Sequence, residues 1–211
     1  AMERRTSMSS ICLTDLAPLT RDTVVCLGTF DGVHRGHQAL IARAAQVGRE
    51  QGLLPCAYTF DAPPAAVLTH QQALVLTPMA EKAALMERYG IDQVVYSHFD
   101  EALAAQDPRA FFEETLLQKL RARHLVIGFH YRFGKAAAGN AALIQTYCEQ
   151  AGIGLSVIPP VRLENGELVS STAIRGLLRA GKFEAAREML GHGLEAWPQT
   201  QKEGDHYAGI S

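Results

Sequence analysis

Two histidines three residues apart, His34 and His37, stand in the stretch CLGTFDGVHRGHQALIARAA, between one apolar run that ends near Gly28 and another that begins after Gly36. Imidazoles at that spacing suit zinc binding or hydrogen bonding to an anion. Zinc needs three or four ligands. The neighbouring sequence does not supply them, and Cys12, Cys26, Cys56 and Cys148 form no CxxC pair, so no metal ligand is assigned. The glycines favour the anion. Gly28, Gly32 and Gly36 permit tight turns and close approach of the backbone to a ligand. The start of the following helix offers free N–H groups and a dipole that attract phosphate. Placed there, His34 and His37 would donate to phosphate oxygens and stabilise charge that builds on them during phosphoryl attack. The glycines fall four apart, so this is not the G-x-G-x-x-G fingerprint, and no Gly-Lys-Ser/Thr follows to make a Walker loop. The plainer alternative is that both histidines only cap the helix.

Such a site needs a strand on one side and a helix on the other. The unbroken apolar run Thr23 to Gly28 reads as a strand buried on both faces. Gln38 to Arg49 follows as a helix with Leu40, Ile41, Ala44, Ala45 and Gly48 on its apolar side. The alternation continues with strand LLPCAYTF, a helix opened by Thr77 as N-cap and Pro78 at its first position, and strand IDQVVYS. A helix opened by Asp107-Pro108, strand HLVIGF, helix NAALIQTYCEQAG and strand IGLSVIPPV come next. STAIRGLLRAG and KFEAAREMLG close the series as two short helices joined at Gly181. Regular alternation of this kind predicts an α/β domain with a mostly parallel sheet and helices on both faces, over residues 23–192.

The chain has 211 residues, 47% of them hydrophobic and 20% charged, enough for one substantial core. A formal charge of −2 gives no general attraction to nucleic acid. No apolar run is long enough for a membrane span, and no binding to a membrane is expected. The cytoplasm is the expected location, and the oligomeric state is not legible. The opening AMERRTSMSS is expected to be partly vector-derived. Residues 1–22 are read as an extension and 193–211 as a tail that Trp197 could anchor.

The stretch GTFDGVHRGH resembles the H-x-G-H signature of nucleotidylyltransferases, giving a Rossmann-like sheet of that type. FDGVHRGHQALI resembles the FMN adenylyltransferase (FAD synthetase) module of bacterial riboflavin kinase/FAD synthetases. TFDAPP, LTPMAEKAALMERYGIDQVV, LVIGFHYRFGKAAAGNAALI and VSSTAIRGLLRAGKFEAAREMLG agree with it in order. The resemblance implies direct transfer of AMP from ATP to FMN, with FAD and pyrophosphate as products and Mg²⁺ carried with the ATP. It implies that His34, His37 and Arg175 act in catalysis. Gly28, Thr29, Phe30, Asp31, Gly32 and Gly36 would shape the phosphate loop, with Ser170, Ser171 and Thr172 binding phosphate beside Arg175. Asp61 and the loop carrying Gly128, Tyr131, Arg132 and Phe133 fall on the flavin side, the aromatics either walling a flat ring or filling the core beneath. The chain departs from the family at Thr29, where Asn is usual, at Ala62-Pro63 in place of Pro-His, and at His130 in place of an acidic residue. These departures leave open a transferase for another acceptor, or a nucleotide-binding protein with little activity. About 20 residues follow Gly191, where the kinase module would begin, so riboflavin phosphorylation is not expected.

Overall fold

Parallel strands require crossover connections, and the helical segments between the apolar runs supply them. The computed structural model describes residues 10–61 and 74–193. Its strands are β1 (Ile11–Cys12), β2 (Thr23–Leu27), β3 (Leu54–Phe60), β4 (Gln93–Ser97), β5 (Ala122–Gly128) and β6 (Gly154–Ile158), in the order β1-β4-β3-β2-β5-β6. Every pairing is parallel, so the sheet is more uniform than expected. All five residues of β2 are buried, as its lack of alternation requires. Val25 lies opposite Cys56 of β3 and Leu125 of β5. The strand order reverses at β2, which opens a crevice beyond the carboxyl ends of β2 and β5.

Helices α1 (Arg35–Gln51) and α2 (Met79–Tyr89) cover one face. Leu40, Ile41, Val47 and Met86 pack there against Val24, Cys26 and Val94. The other face is covered by α3, which starts at Pro108–Ala110 and widens into a π-helix over Phe111–Lys119, and by α4 (Ala141–Ala151). Phe112, Leu116 and Ile144 meet Leu27, Leu125 and Ile127 on that side. Each such apolar side chain contributes about 1.5–3 kcal/mol when fully buried. A third, smaller cluster unites α5 (Ser171–Arg179) and α6 (Phe183–Leu190) through Ile174, Leu178 and Leu190, with Leu76 and Val169 beside them.

Four differences from the sequence expectation bear on the site. Helix α1 begins at Arg35, three residues early, because His34 caps it and brings His37 into the first turn. Thr77 does not cap α2; Pro78 holds that position and the Thr77 hydroxyl instead accepts the Gly32 N–H at 2.9 Å. The π-helical turn in α3 brings the adjacent pairs Phe111–Phe112 and Thr115–Leu116 to the buried side. Strand β1 joins the sheet from within the first 22 residues, pairing Ile11 with Val95. The departures at Ala62 and Pro63 and the anchoring role of Trp197 lie outside the described residues.

Candidate active site

The loop after β2 is built against the backbone's preferences. Phe30 (φ 51°) and Val33 (φ 42°) adopt left-handed conformations, as does Gly32 (φ 88°). For a β-branched or bulky residue such a conformation costs on the order of 1–3 kcal/mol, so the surroundings must enforce it. They do so at nearly every polar atom. The Thr29 carbonyl accepts from the Thr59 hydroxyl at 2.9 Å and from the Lys82 ammonium at 2.9 Å. The Asp31 carboxylate accepts the N–H groups of Leu76 and Thr77, each at 3.0 Å, and the Arg175 guanidinium. His192 donates to the Gly32 carbonyl at 2.7 Å, and Gln38 to the Val33 carbonyl at 2.9 Å. Phe30 and Val33 themselves are fully buried. The Phe30 ring therefore supports the loop from below.

His34 is a cap and a donor at once. Its Nδ1 accepts the N–H groups of Gly36 at 3.1 Å and His37 at 3.3 Å, which leaves the ring proton on Nε2. Burial lowers its pKa from 6.5 to about 4, against the opposing pull of Asp31, so the ring is neutral at pH 7. His37 stacks on it, ring centroids 3.6 Å apart and planes 16° apart, with the Phe30 ring behind at 5.2 Å. The pKa of His37 is pushed well below 6.5 by burial first, then by His34 and Lys82. Its Nδ1 is enclosed with no hydrogen-bond partner among the described residues, which favours a proton on Nε2. Gly36 makes this packing possible, because a Cβ there would lie 2.9 Å from His34 Cε1. The pair thus presents two neutral imidazoles, each with Nε2 as its remaining donor.

The distal segment does converge on this loop. Ser171 Oγ donates to the Asp31 carbonyl at 2.8 Å, and Arg175 bonds both the Asp31 carboxylate and the Leu74 carbonyl, the latter at 2.7 Å. Ser170 caps α5 by accepting the Ala173 N–H at 3.0 Å. Ser170, Ser171 and two nitrogens of Arg175 thus tie this segment together and to the loop. Thr172 is exposed, and Nη1 of Arg175 has no partner among the described residues.

At Thr29, where the loop leaves β2, lies a largely apolar cavity of about 380 Å³, walled also by Phe60, Phe99, Phe111, Arg132 and Phe133. Phe133 and Arg132 line this cavity. Tyr131 does not: it stacks on Phe133 at 5.8 Å but packs against the core, and burial drives its hydroxyl pKa upward. Phe129 is 60% exposed and stands outside the cavity wall. Gly128 ends β5 with open space where a Cβ would be. Asp61, at the end of β3, is paired with His98 and accepts the Phe99 N–H at 3.4 Å. A larger hollow of about 540 Å³ sits at the opposite, amino end of the strands beside Leu53, Pro55 and Ile91, away from every residue of this site.

Sequence reasoning missed three participants, His192, His98 and Lys82. The first two carry no local signal. Lys82 had one, since it stands on the same face of α2 as buried Ala83 and Met86. Among the described residues no three His, Cys, Asp or Glu side chains gather as a metal site, and both Asp31 oxygens are already engaged.

A parallel sheet with stacked imidazoles at a helix start beyond its central strand defines a nucleotidylyltransferase-type fold. The fold is shared with pantothenate synthetase from Thermus thermophilus, with a TM-score of 0.52 over 92% of this chain and 83% of that one, at 19% identity. A crystal structure described as a macrolide-efflux protein from Streptococcus pneumoniae matches with a TM-score of 0.78 and 29% identity, over 89% of this chain and 63% of that one. Among the described residues no helix is long and apolar enough to cross a membrane. A FAD synthetase of Listeria monocytogenes is 32% identical over 82% of this chain and 70% of its own length. A bifunctional riboflavin kinase/FMN adenylyltransferase of the same organism is 34% identical over 83% of this chain, which spans 57% of that relative. The FAD synthetase family model matches residues 17–173. The chain belongs to the FAD synthetase family.

Proposed function

We propose that this crevice transfers AMP from ATP to FMN, with the residues in the following roles. One observation carries the assignment: the loop with two neutral, stacked histidines at the start of α1 meets the start of α5 around Asp31, and an aromatic cavity opens at Thr29 of the same loop. An oxygen of the FMN phosphate attacks the α-phosphorus of ATP, the bond to the bridging oxygen breaks, and pyrophosphate leaves with that electron pair. The attacking phosphate is already anionic, so no protein base is needed. His34 and His37 donate from Nε2 to the non-bridging oxygens as charge accumulates there, and neutrality lets them donate without surrendering the proton. Thr172 and Nη1 of Arg175, which has no partner among the described residues, would take the ATP phosphates, and Mg²⁺ would travel as part of the ATP substrate.

Phe60, Phe99 and Phe133 suit a flat heteroaromatic ring, and Arg132 at the rim suits the FMN phosphate. A reducing, cytoplasmic setting accords with Cys12, Cys26, Cys56 and Cys148, which are free and buried. The test is turnover with ATP, Mg²⁺ and FMN, following FAD and pyrophosphate together. Equimolar appearance of both is the expected result. Pyrophosphate release that needs a different acceptor overturns the flavin assignment, and no release with any acceptor overturns the reaction.

A further inference from the structure

Lys82 is 4% exposed, yet it is a lysine in the apolar face of α2. Burial of an ammonium is costly unless each of its N–H bonds finds an acceptor. Here all three do: the Thr29 carbonyl at 2.9 Å, the Thr59 hydroxyl at 3.2 Å and the Phe60 carbonyl at 2.7 Å. These acceptors come from the ends of two adjacent strands. Thr29 leads into the loop that holds His34 and His37, and Thr29 and Phe60 both wall the aromatic cavity. One side chain therefore spans the seam between the place for ATP and the place for the flavin.

Resting on the reaction proposed above, we propose that Lys82 is a positioning residue: its ammonium fixes the β2 and β3 ends relative to each other, so that the two bound substrates meet in line. The same helix grips the loop at a second point, because the segment leading into α2 supplies the Leu76 and Thr77 N–H groups that hold Asp31. Without the ammonium, the Thr29 and Phe60 carbonyls lose their common donor, and among the described residues the Thr59 hydroxyl is the side-chain donor left to the Thr29 carbonyl. ATP still binds through the α1 and α5 starts. The alignment of the acceptor is what is lost.

Protonation supplies a readout that mere packing would not. Burial lowers the Lys82 pKa from 10.5 to about 8, opposed by Asp31 and Asp61, and the other titratable group beside it is His37. Deprotonation removes one donor and the charge, so turnover falls as pH rises through about 8. Stability moves the other way. Between about 8 and 10.5 the unfolded chain holds more protons on this lysine than the folded one, so the Lys82 contribution makes folding more favourable as pH rises through that window.

The experiment compares the parent chain with Lys82→Met and Lys82→Arg, measuring kcat and KM for FAD formation, ATP affinity by calorimetry, and kcat from pH 6.5 to 9.5. Lys82→Met should lose roughly 100-fold in kcat while ATP affinity stays within about threefold. Lys82→Arg should recover most of the rate and show no alkaline decline below pH 9.5, since a guanidinium does not titrate there. A folded Lys82→Met variant with kcat within about threefold of the parent overturns the proposal. So does a parent profile flat to pH 9.5, or an alkaline decline that persists unchanged in Lys82→Arg. Should Lys82→Met not fold by circular dichroism, the Lys82→Arg profile decides. If neither variant folds, the parent decides: kcat that falls above pH 8 while denaturation stability rises supports the role. A parent chain that forms no FAD at any pH defeats the underlying reaction, an outcome distinct from all of these.

Discussion

His34 performs two tasks through its two ring nitrogens, and asparagine at that position separates them. Nδ1 caps α1 by accepting from Gly36 and His37, while Nε2 is left as the donor that the proposed reaction uses. Asparagine is a good N-cap, so His34→Asn retains the helix start, whereas His34→Ala loses it for about 1 kcal/mol. Both variants also lose the packing of a ring that is 6% exposed and stacked on His37. His34→Ala should therefore cost about 3 kcal/mol of stability, with asparagine restoring about 1 kcal/mol of it. Activity should not follow that recovery: kcat falls about 100-fold or more in both, the usual loss for one donor to a developing oxyanion. Acid adds a second signature. Burial holds the folded pKa of His34 at about 4, below 6.5 when unfolded, so the folded protein binds fewer protons between those values and loses stability as pH falls through them. The full window is worth about 3 kcal/mol. His34→Asn should lack that part of the acid slope and keep the part due to His37. Urea melts at several pH values between 4.5 and 7.5, with steady-state kinetics at pH 7.5, measure both. An asparagine variant with parental kcat, or with an unaltered acid slope, would refute the reasoning.

Other substitutions probe the remaining parts. Arg175→Ala strips the guanidinium from a carboxylate that is 4% exposed, and should destabilise by about 3 kcal/mol in urea melts; a loss under about 1 kcal/mol would contradict the pairing described. Gly36→Ala places a methyl 2.9 Å from His34 Cε1, so kcat should fall about tenfold or more with the circular dichroism spectrum unchanged. Phe133→Ala should raise KM for FMN by about tenfold and leave KM for ATP within about twofold, as judged from initial rates with each substrate varied.

Much of this was legible in the sequence because it is local. Apolar runs without alternation specify buried parallel strands, and glycines at 28, 32 and 36 mark a turn into a helix, so β2, α1 and the loop between them follow from a short window. The convergence of that loop with SSTAIR followed from resemblance and not from any physical reading of the two segments. What escaped was the use to which polar atoms are put. Arg175 and Ser171 look free in sequence, but their partner is Asp31, 144 and 140 residues away. Phe30 and Tyr131 look alike as loop aromatics, and only the tertiary packing shows that both turn inward. Thr77 carries a strong capping signal and was overridden by the Gly32 N–H, a contact across 45 residues.

The holding of the first loop by the last helices has a consequence for biosynthesis. Asp31 waits for Ser171 and Arg175, Gly32 for His192, and the Gln38 side chain for the Leu190 carbonyl, across 140 to 160 residues. At about 5–20 residues per second on a ribosome, roughly 7–32 s pass between emergence of the loop and arrival of its restraints. The nascent chain can lay down β2 to β5 in that interval while the strained conformation of Phe30 and Val33 remains unenforced. The restraints that enforce the loop thus arrive only once α5, α6 and His192 have emerged.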